Sequence, residues 1–199
     1  PIHLSPNYWL LETDHTAYAL GLDAEGRLVN FYWGERLPSS ADYPNLASSH
    51  EWASFSAAGQ AAREEYPAET GLKYIEPCFK ASFADGVRDT VLCFETAVQQ
   101  GDELHIQLYD ELEKLRLVHC YRLHASHDLI ERWAEVTNLG EAATTLERLF
   151  SAQWHLPSRR SYRLSYLYGR WADEFHIGCE PLAVGKKVLE SRRITTSHH

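Results

Sequence analysis

The sequence predicts an all-β fold, a sandwich of antiparallel strands. Three observations predict it. Turn-forming residues recur every dozen or so positions along most of the chain, and short apolar or alternating runs lie between them. Aromatic residues are abundant, with six Trp, eleven Tyr and seven Phe in 199 residues. Bulky flat side chains suit a pleated surface, and evenly spaced short strands mark sandwiches. No strand–helix–strand alternation appears, so a parallel sheet is not expected.

The elements follow in order. Tyr8 to Thr13 and Ala17 to Leu22 read as strands around the turn-prone Asp14-His15. Asp23-Ala24-Glu25-Gly26 reads as a hairpin turn into a third strand, Leu28 to Trp33. Residues 38 to 77 differ in character. Pro38, Pro44, Pro67 and Pro77 punctuate a stretch rich in Ser, Ala and Glu, with a weak helix signal over Ala57 to Glu65. Long excursions of this kind in a compact domain usually serve as a lid, a binding loop or a partner contact. The β pattern resumes with Phe79 to Phe83 before the turn Asp85-Gly86. Val91 to Val98 pairs by pattern with Leu104 to Tyr109 across Gly101-Asp102. In the second of these, Leu104, Ile106 and Leu108 alternate with His105 and Gln107, as in a half-buried strand. Leu115 to His124 and Leu129 to Asn138 form a hairpin around Ser126-His127-Asp128, placing His119 and Tyr121 on one strand face. Strands over Thr144 to Trp154, Arg163 to Arg170 and Val188 to Arg193 complete the set.

Composition bounds the function. The length fits one large domain, and 44% hydrophobic residues are enough for a substantial core. A net charge of −9 argues against nucleic-acid or anionic-lipid partners, which require a basic surface. No stretch approaches the roughly 20 apolar residues of a membrane span. Pro1 is the kind of small residue left when an initiator Met is trimmed, which fits a cytoplasmic start. Cys78, Cys93, Cys120 and Cys179 are widely spaced, without a Cys-x-x-Cys pair. They read as reduced, mostly buried thiols of a cytoplasmic protein. No cofactor or metal motif is present: there is no Gly-rich phosphate loop, no nucleophile elbow and no His-Glu-x-x-His. With 28 acidic residues, no carboxylate pair stands out as a catalytic couple. Two functional alternatives remain open from the residues. One is a mutarotase-like epimerase using His119 or His155 with Glu174 or Glu180 as acid and base. The other is a stand-alone carbohydrate-binding module with exposed Trp rings.

The most specific stretch is the carboxyl-terminal one. Gly169-Arg170-Trp171-Ala172-Asp173-Glu174, Glu190-Ser191-Arg192-Arg193 and Thr196-Ser197-His198 occur in that order. Upstream stand Leu28 to Gly34, Phe83 to Asp89, Ile130 to Trp133 and Thr137 to Gly140. Together they resemble the amino-terminal domain of glycoside hydrolase family 36, the α-galactosidases, from Tyr8 to His199. Ile194 departs from the pattern, which has Gly after the Arg-Arg pair; a β-branched residue resists the backbone conformations Gly permits.

The resemblance implies a galactose-mutarotase-like supersandwich that precedes a catalytic (β/α)₈ barrel. The barrel needs about 250 further residues, and its Lys-Trp-Asp nucleophile run is absent here; Arg170-Trp171-Ala172-Asp173 is not that run. It therefore implies a non-catalytic region without cofactor. Its partners would be the barrel of the same polypeptide, a galactoside substrate, and other copies of the chain in a homo-oligomer. In tetrameric members a loop of this domain reaches a neighbour's active-site mouth. The excursion at 38 to 77 is the matching region, with Asp42, Tyr43, His50 and Trp52 as candidates for the mouth or for subunit packing. The Gly169-Arg170-Trp171 and Glu190-Ser191-Arg192-Arg193 runs are expected at the junction with the barrel.

Overall fold

Leu104, Ile106 and Leu108 are buried, and the residues between them are half-exposed. Leu115, Leu117, Tyr121 and Leu123 on the following strand are buried as well, and together they build one wall of a sandwich. The computed structural model describes residues 1–44, 63–71, 75–157 and 161–190. Over these it forms two compact units, Pro1–Pro157 and Ser158–His199.

In the first unit, β1 (Ile2–Ser5), β2 (Tyr8–Glu12), β3 (Thr16–Leu22) and β4 (Leu28–Glu35) make an antiparallel meander. After the excursion, β5 (Phe79–Ser82) pairs with β10 (Thr145–Leu149). A second meander joins β6 (Cys93–Gln100), β7 (Glu103–Asp110), β8 (Leu115–His124) and β9 (Leu129–Asn138). Trp9, Leu11, Tyr18 and Leu20 of the first meander share one core with Leu104, Ile106, Leu117 and Tyr121 of the second and with Phe79 of β5. Each such side chain contributes about 1.5–3 kcal/mol of burial.

β2 and β3 are buried on both faces, which explains their unbroken apolar runs. Trp9 and Leu11 face the central core. Leu10, Ala17 and Ala19 face a second cluster closed by Leu37 and Tyr43 of the segment after β4.

The two meanders are tied at one end through their turns. Asp128, in the left-handed conformation (φ 51°), accepts from the His15 backbone N–H at 2.8 Å and from its Nδ1 at 2.7 Å. Hydrogen bonds from Thr13 and His15 hold the Asp128 carboxyl down at about 2.

The second unit is a hairpin of β11 (Arg163–Arg170) and β12 (Asp173–Pro181). Gly169 sits where the hairpin bulges. A Cβ there would lie 2.7 Å from the Asp173 carbonyl oxygen and 2.8 Å from Glu174 Cα, so the glycine of the Gly-Arg-Trp run is required by close backbone approach.

Several expectations change. Ile2–Ser5 and Asp173–Pro181 are strands not read from the sequence. The first has only four residues on an edge, and left-handed Ala172 and Phe175 interrupt the pattern around the second. The strand expected over Thr144 to Trp154 stops at Leu149. Val188 to Glu190 are not a strand, and Ser191 to Arg193 lie outside the described residues. Of the four free thiols, Cys78 and Cys120 are buried, whereas Cys93 and Cys179 are exposed on their strands. The weak helix signal at 57–62 lies outside the described residues. Glu64, at its end, forms a β-bridge with Val29.

Candidate functional site

Described polar residues come together at the start of the long excursion and again at residues 63–66 within it. At its start, Ser39 caps a short 3-10 turn, Ser40–Asp42. Asp42 is exposed, and Tyr43 is buried. Tyr43 donates to Glu12 Oε1 at 2.9 Å and accepts from the Leu37 N–H at 2.7 Å. His3 Nε2 donates to the other Glu12 oxygen at 2.8 Å. Burial alone would raise the Glu12 carboxyl, but the bonds from Tyr43 and His3 outweigh it and hold it below its ordinary value. Tyr43 therefore anchors the excursion to β2, and Asp42 stands beside it toward solvent. His50 and Trp52 lie outside the described residues.

At residues 63–65 the chain returns along β4. Asn30 N–H donates to the Arg63 carbonyl, and Glu65 N–H donates to the Leu28 carbonyl, each at 2.8 Å. Glu65 then enters the core. Its carboxylate accepts from Tyr18 (2.7 Å), from Tyr121 (2.7 Å) and from Arg132 Nη2 (2.8 Å). Both charged side chains are almost wholly buried, at 0% and 1% exposure, so neither survives there without the other.

Arg132 reaches further. It donates to the Glu65 carbonyl at 2.9 Å and the Gln153 carbonyl at 2.6 Å, and its guanidinium lies 4.9 Å from the Trp154 ring centre. Nε donates to His119 Nε2 at 3.2 Å, which leaves Nδ1 as the protonated nitrogen, 2.9 Å from Tyr121 Oη. Burial, reinforced by the Arg132 charge, pushes His119 well below the ordinary histidine range. The network is a brace that joins β3, β8 and β9 to segments 63–66 and 150–154.

The sequence missed Glu65 and Arg132 as a pair. A signal for Arg132 was present: it is in phase with Ile130, Ala134 and Val136 on an apolar strand face. Glu65, in an irregular segment, carries no such phase.

His119 is neutral and fully engaged, and His155 Nε2 donates to the Glu64 carbonyl at 2.8 Å. A cleft of about 240 Å³ is lined partly by Glu69, Arg88 and Asp89. That is smaller than the ~300–1,000 Å³ of ordinary ligand sites. Glu69 pairs with Lys80 at 3.0 Å, and Asp89 accepts from the Gly71 N–H at 2.8 Å. Among the described residues no cluster of His, Cys, Asp and Glu is arranged to hold a metal ion. Among the described residues, the Glu65–Arg132–His119 arrangement positions chain segments.

Known proteins place this architecture. The chain is 26% identical over 214 residues to the bifunctional α-galactosidase/sucrose kinase AgaSK of Mediterraneibacter gnavus, a match covering 94% of this chain and 23% of that protein. It is 23% identical over 207 residues to the probable α-galactosidase C of Aspergillus terreus, covering 94% and 27%. In structure it is similar to the family 36 α-galactosidase AgaB of Geobacillus stearothermophilus (TM-score 0.84, 22% identity, 97% of this chain and 30% of that one). It is also similar to the Lactobacillus brevis α-galactosidase (TM-score 0.79, 25% identity, 91% and 28%). The chain thus spans about a quarter of the curated relatives it matches. Residues 26–199 match the glycosyl hydrolase family 36 N-terminal domain, and the chain belongs to that family.

Proposed function

We propose that this region is the non-catalytic amino-terminal part of a longer α-galactosidase, and that it supports a catalytic barrel carried by the same polypeptide. The observation that carries the reading is the family match over 26–199 in a chain that spans only a quarter of its relatives. The engagement of His119, Glu65, Glu69 and Asp89 in structural contacts agrees with it. The longer enzyme would hydrolyse terminal α-galactosides with retention, through a glycosyl-enzyme intermediate, in the cytoplasm and without a cofactor. Purified 199-residue chain is expected to release no chromophore from a nitrophenyl α-galactoside above a protein-free blank. Turnover by the isolated chain would refute the reading.

Within the oligomeric enzyme, the excursion reaches a neighbouring subunit's active-site mouth, with Asp42, His50 and Trp52 toward the sugar and Tyr43 as the anchor. The Tyr43–Glu12 bond and the Glu65 brace support this, because they fix the chain on either side of the segment that carries His50 and Trp52. Trp52→Ala in the full-length enzyme is expected to raise KM for a galacto-oligosaccharide several-fold while sparing kcat on a small aryl galactoside. An unchanged KM with loss of the oligomer would assign these residues to subunit packing instead.

A further inference from the structure

Residues 63–66 run beside β4 as a short strap, and one buried cation holds much of it. Two main-chain bonds tie the strap to β4, through Asn30 N–H and Glu65 N–H. The Glu64 carbonyl accepts from His155, and the Tyr66 hydroxyl donates to the Phe150 carbonyl. Arg132 then grips the Glu65 carbonyl at 2.9 Å and its carboxylate at 2.8 Å. The same guanidinium donates to the Gln153 carbonyl. The two meanders are held differently, each by continuous strand ladders. A short irregular segment secured by a few polar contacts is where local opening precedes global unfolding.

His119 stands against that cation. Its Nε2 accepts from Arg132 Nε at 3.2 Å. A proton on Nε2 would set N–H against N–H and cation against cation. A charged His119 and the grip of Arg132 on the strap therefore exclude one another. The other groups around the ring do not offset this. Tyr121 of β8 lies 2.9 Å from Nδ1, and the Tyr66 ring of the strap lies 4.7 Å from the imidazole. The Glu65 carboxylate is taken up by Arg132, by Tyr121 and by Tyr18 of β3. The Ser151 backbone favours the charged ring, but burial and the Arg132 charge outweigh it and hold His119 well below the ordinary histidine range. The closed form thus refuses the proton, and a form in which Tyr66 and Glu65 have left the ring and the guanidinium accepts it.

We propose that residues 63–66 are an acid-released strap: a proton on His119 displaces the grip of Arg132 and frees the strap, while both meanders stay folded. Release opens the edge of β4 at Val29, which is bridged to Glu64 in the closed form. It also uncovers Cys78, which lies against the strap. The Cys78 N–H donates to the Pro67 carbonyl at 2.7 Å, and its Sγ donates to Gln153 Oε1 at 3.3 Å.

Thiol labelling of the 199-residue chain by 4,4′-dithiodipyridine tests this, read peptide by peptide by mass spectrometry. At each pH the rate is divided by that of the same cysteine in the chain unfolded in urea. Burial pushes the Cys78 thiol up to about 11 and the Cys120 thiol of β8 up to about 12, so both are unreactive in the closed form. Below about pH 6.5 the corrected Cys78 rate is expected to rise by about ten-fold per pH unit, the slope for one proton taken up on opening. Between pH 6.5 and 5.0 that is roughly thirty-fold. The corrected Cys120 rate is expected to stay nearly constant. A flat Cys78 rate overturns the proposal, and so does a Cys120 rate that climbs in step with it, the mark of global unfolding. Sub-denaturing urea separates the two routes in the unsubstituted chain. Local release exposes little surface, so Cys78 labelling at pH 5.0 should barely respond to urea; a response as steep as global unfolding sinks the strap. His119→Gln keeps an acceptor toward Arg132 without a titrating ring, and in it the acid-driven rise is expected to vanish. A rise retained in that variant also overturns the proposal, since another group would then carry the acid response.

Discussion

Replacing Arg132 by methionine is expected to destabilise the first unit by about 3–5 kcal/mol, the range for breaking a buried ion pair from one side. The size follows from what is left behind. Glu65 has no exposed surface, and only the Tyr18 and Tyr121 hydroxyls would remain to satisfy its carboxylate. The carbonyls of Glu65 and Gln153 and the His119 Nε2 would each lose a donor as well. Arg132→Lys is expected to fall between, since one ammonium cannot reproduce a planar fork of donors. The double variant Glu65→Leu/Arg132→Met removes both charges and should cost clearly less than the sum of the single changes. Urea unfolding followed by tryptophan fluorescence measures all three. A loss below about 1 kcal/mol for Arg132→Met would mean that the brace does not bear on stability.

Acid is expected to weaken the fold through His119. Its folded pKa lies well below the ordinary value of 6.5, from burial first and the Arg132 charge second. Below about pH 6.5 the unfolded chain takes up a proton at this residue and the folded chain does not. Stability from this group is therefore complete above that pH and declines as pH falls towards the depressed folded pKa, approaching 1.4 kcal/mol per pH unit. Stability is therefore expected to be lower at pH 5.0 than at pH 7.5. His15 acts with the opposite sign. Its hydrogen bond to Asp128 raises its pKa, so its contribution is complete below 6.5 and is lost as pH rises through the raised value. Asp128, held at about 2, contributes above the ordinary aspartate range and loses that contribution only as pH falls towards 2. His119→Gln retains an acceptor and a donor without a titrating ring. It should lower stability at pH 7.5 yet flatten the decline towards pH 5.0 relative to the unsubstituted chain. Equal slopes in urea titrations at the two pH values would exclude His119 as the cause.

Much of the architecture was legible in the residues because strand phase is a local property. Alternation over Leu104 to Leu108 placed one face inward, and the hairpin around Ser126-His127-Asp128 follows from its turn residues. The shared face of His119 and Tyr121 appears as a 2.9 Å contact. The non-alternating runs of β2 and β3 carried the sign of burial on two sides, although their second cover, Tyr43 and Leu37, arrives from a segment without strand signals. Of the candidate site, Asp42 and Tyr43 take different surroundings one residue apart. Direction in an irregular segment is set by the partner it meets, here Glu12.

By itself, then, the amino-acid order determined the all-β class, most strand positions, the family through its ordered motifs, and the two-fold phase of each sheet face. Only the tertiary structure decided that Glu65 and Arg132, 67 positions apart, share a buried pair, and that Asp128 holds His15 across 113 positions. Strand phase is written in neighbours two residues apart. The partner of a buried charge is chosen by how separate segments pack, and that information resides in three-dimensional proximity.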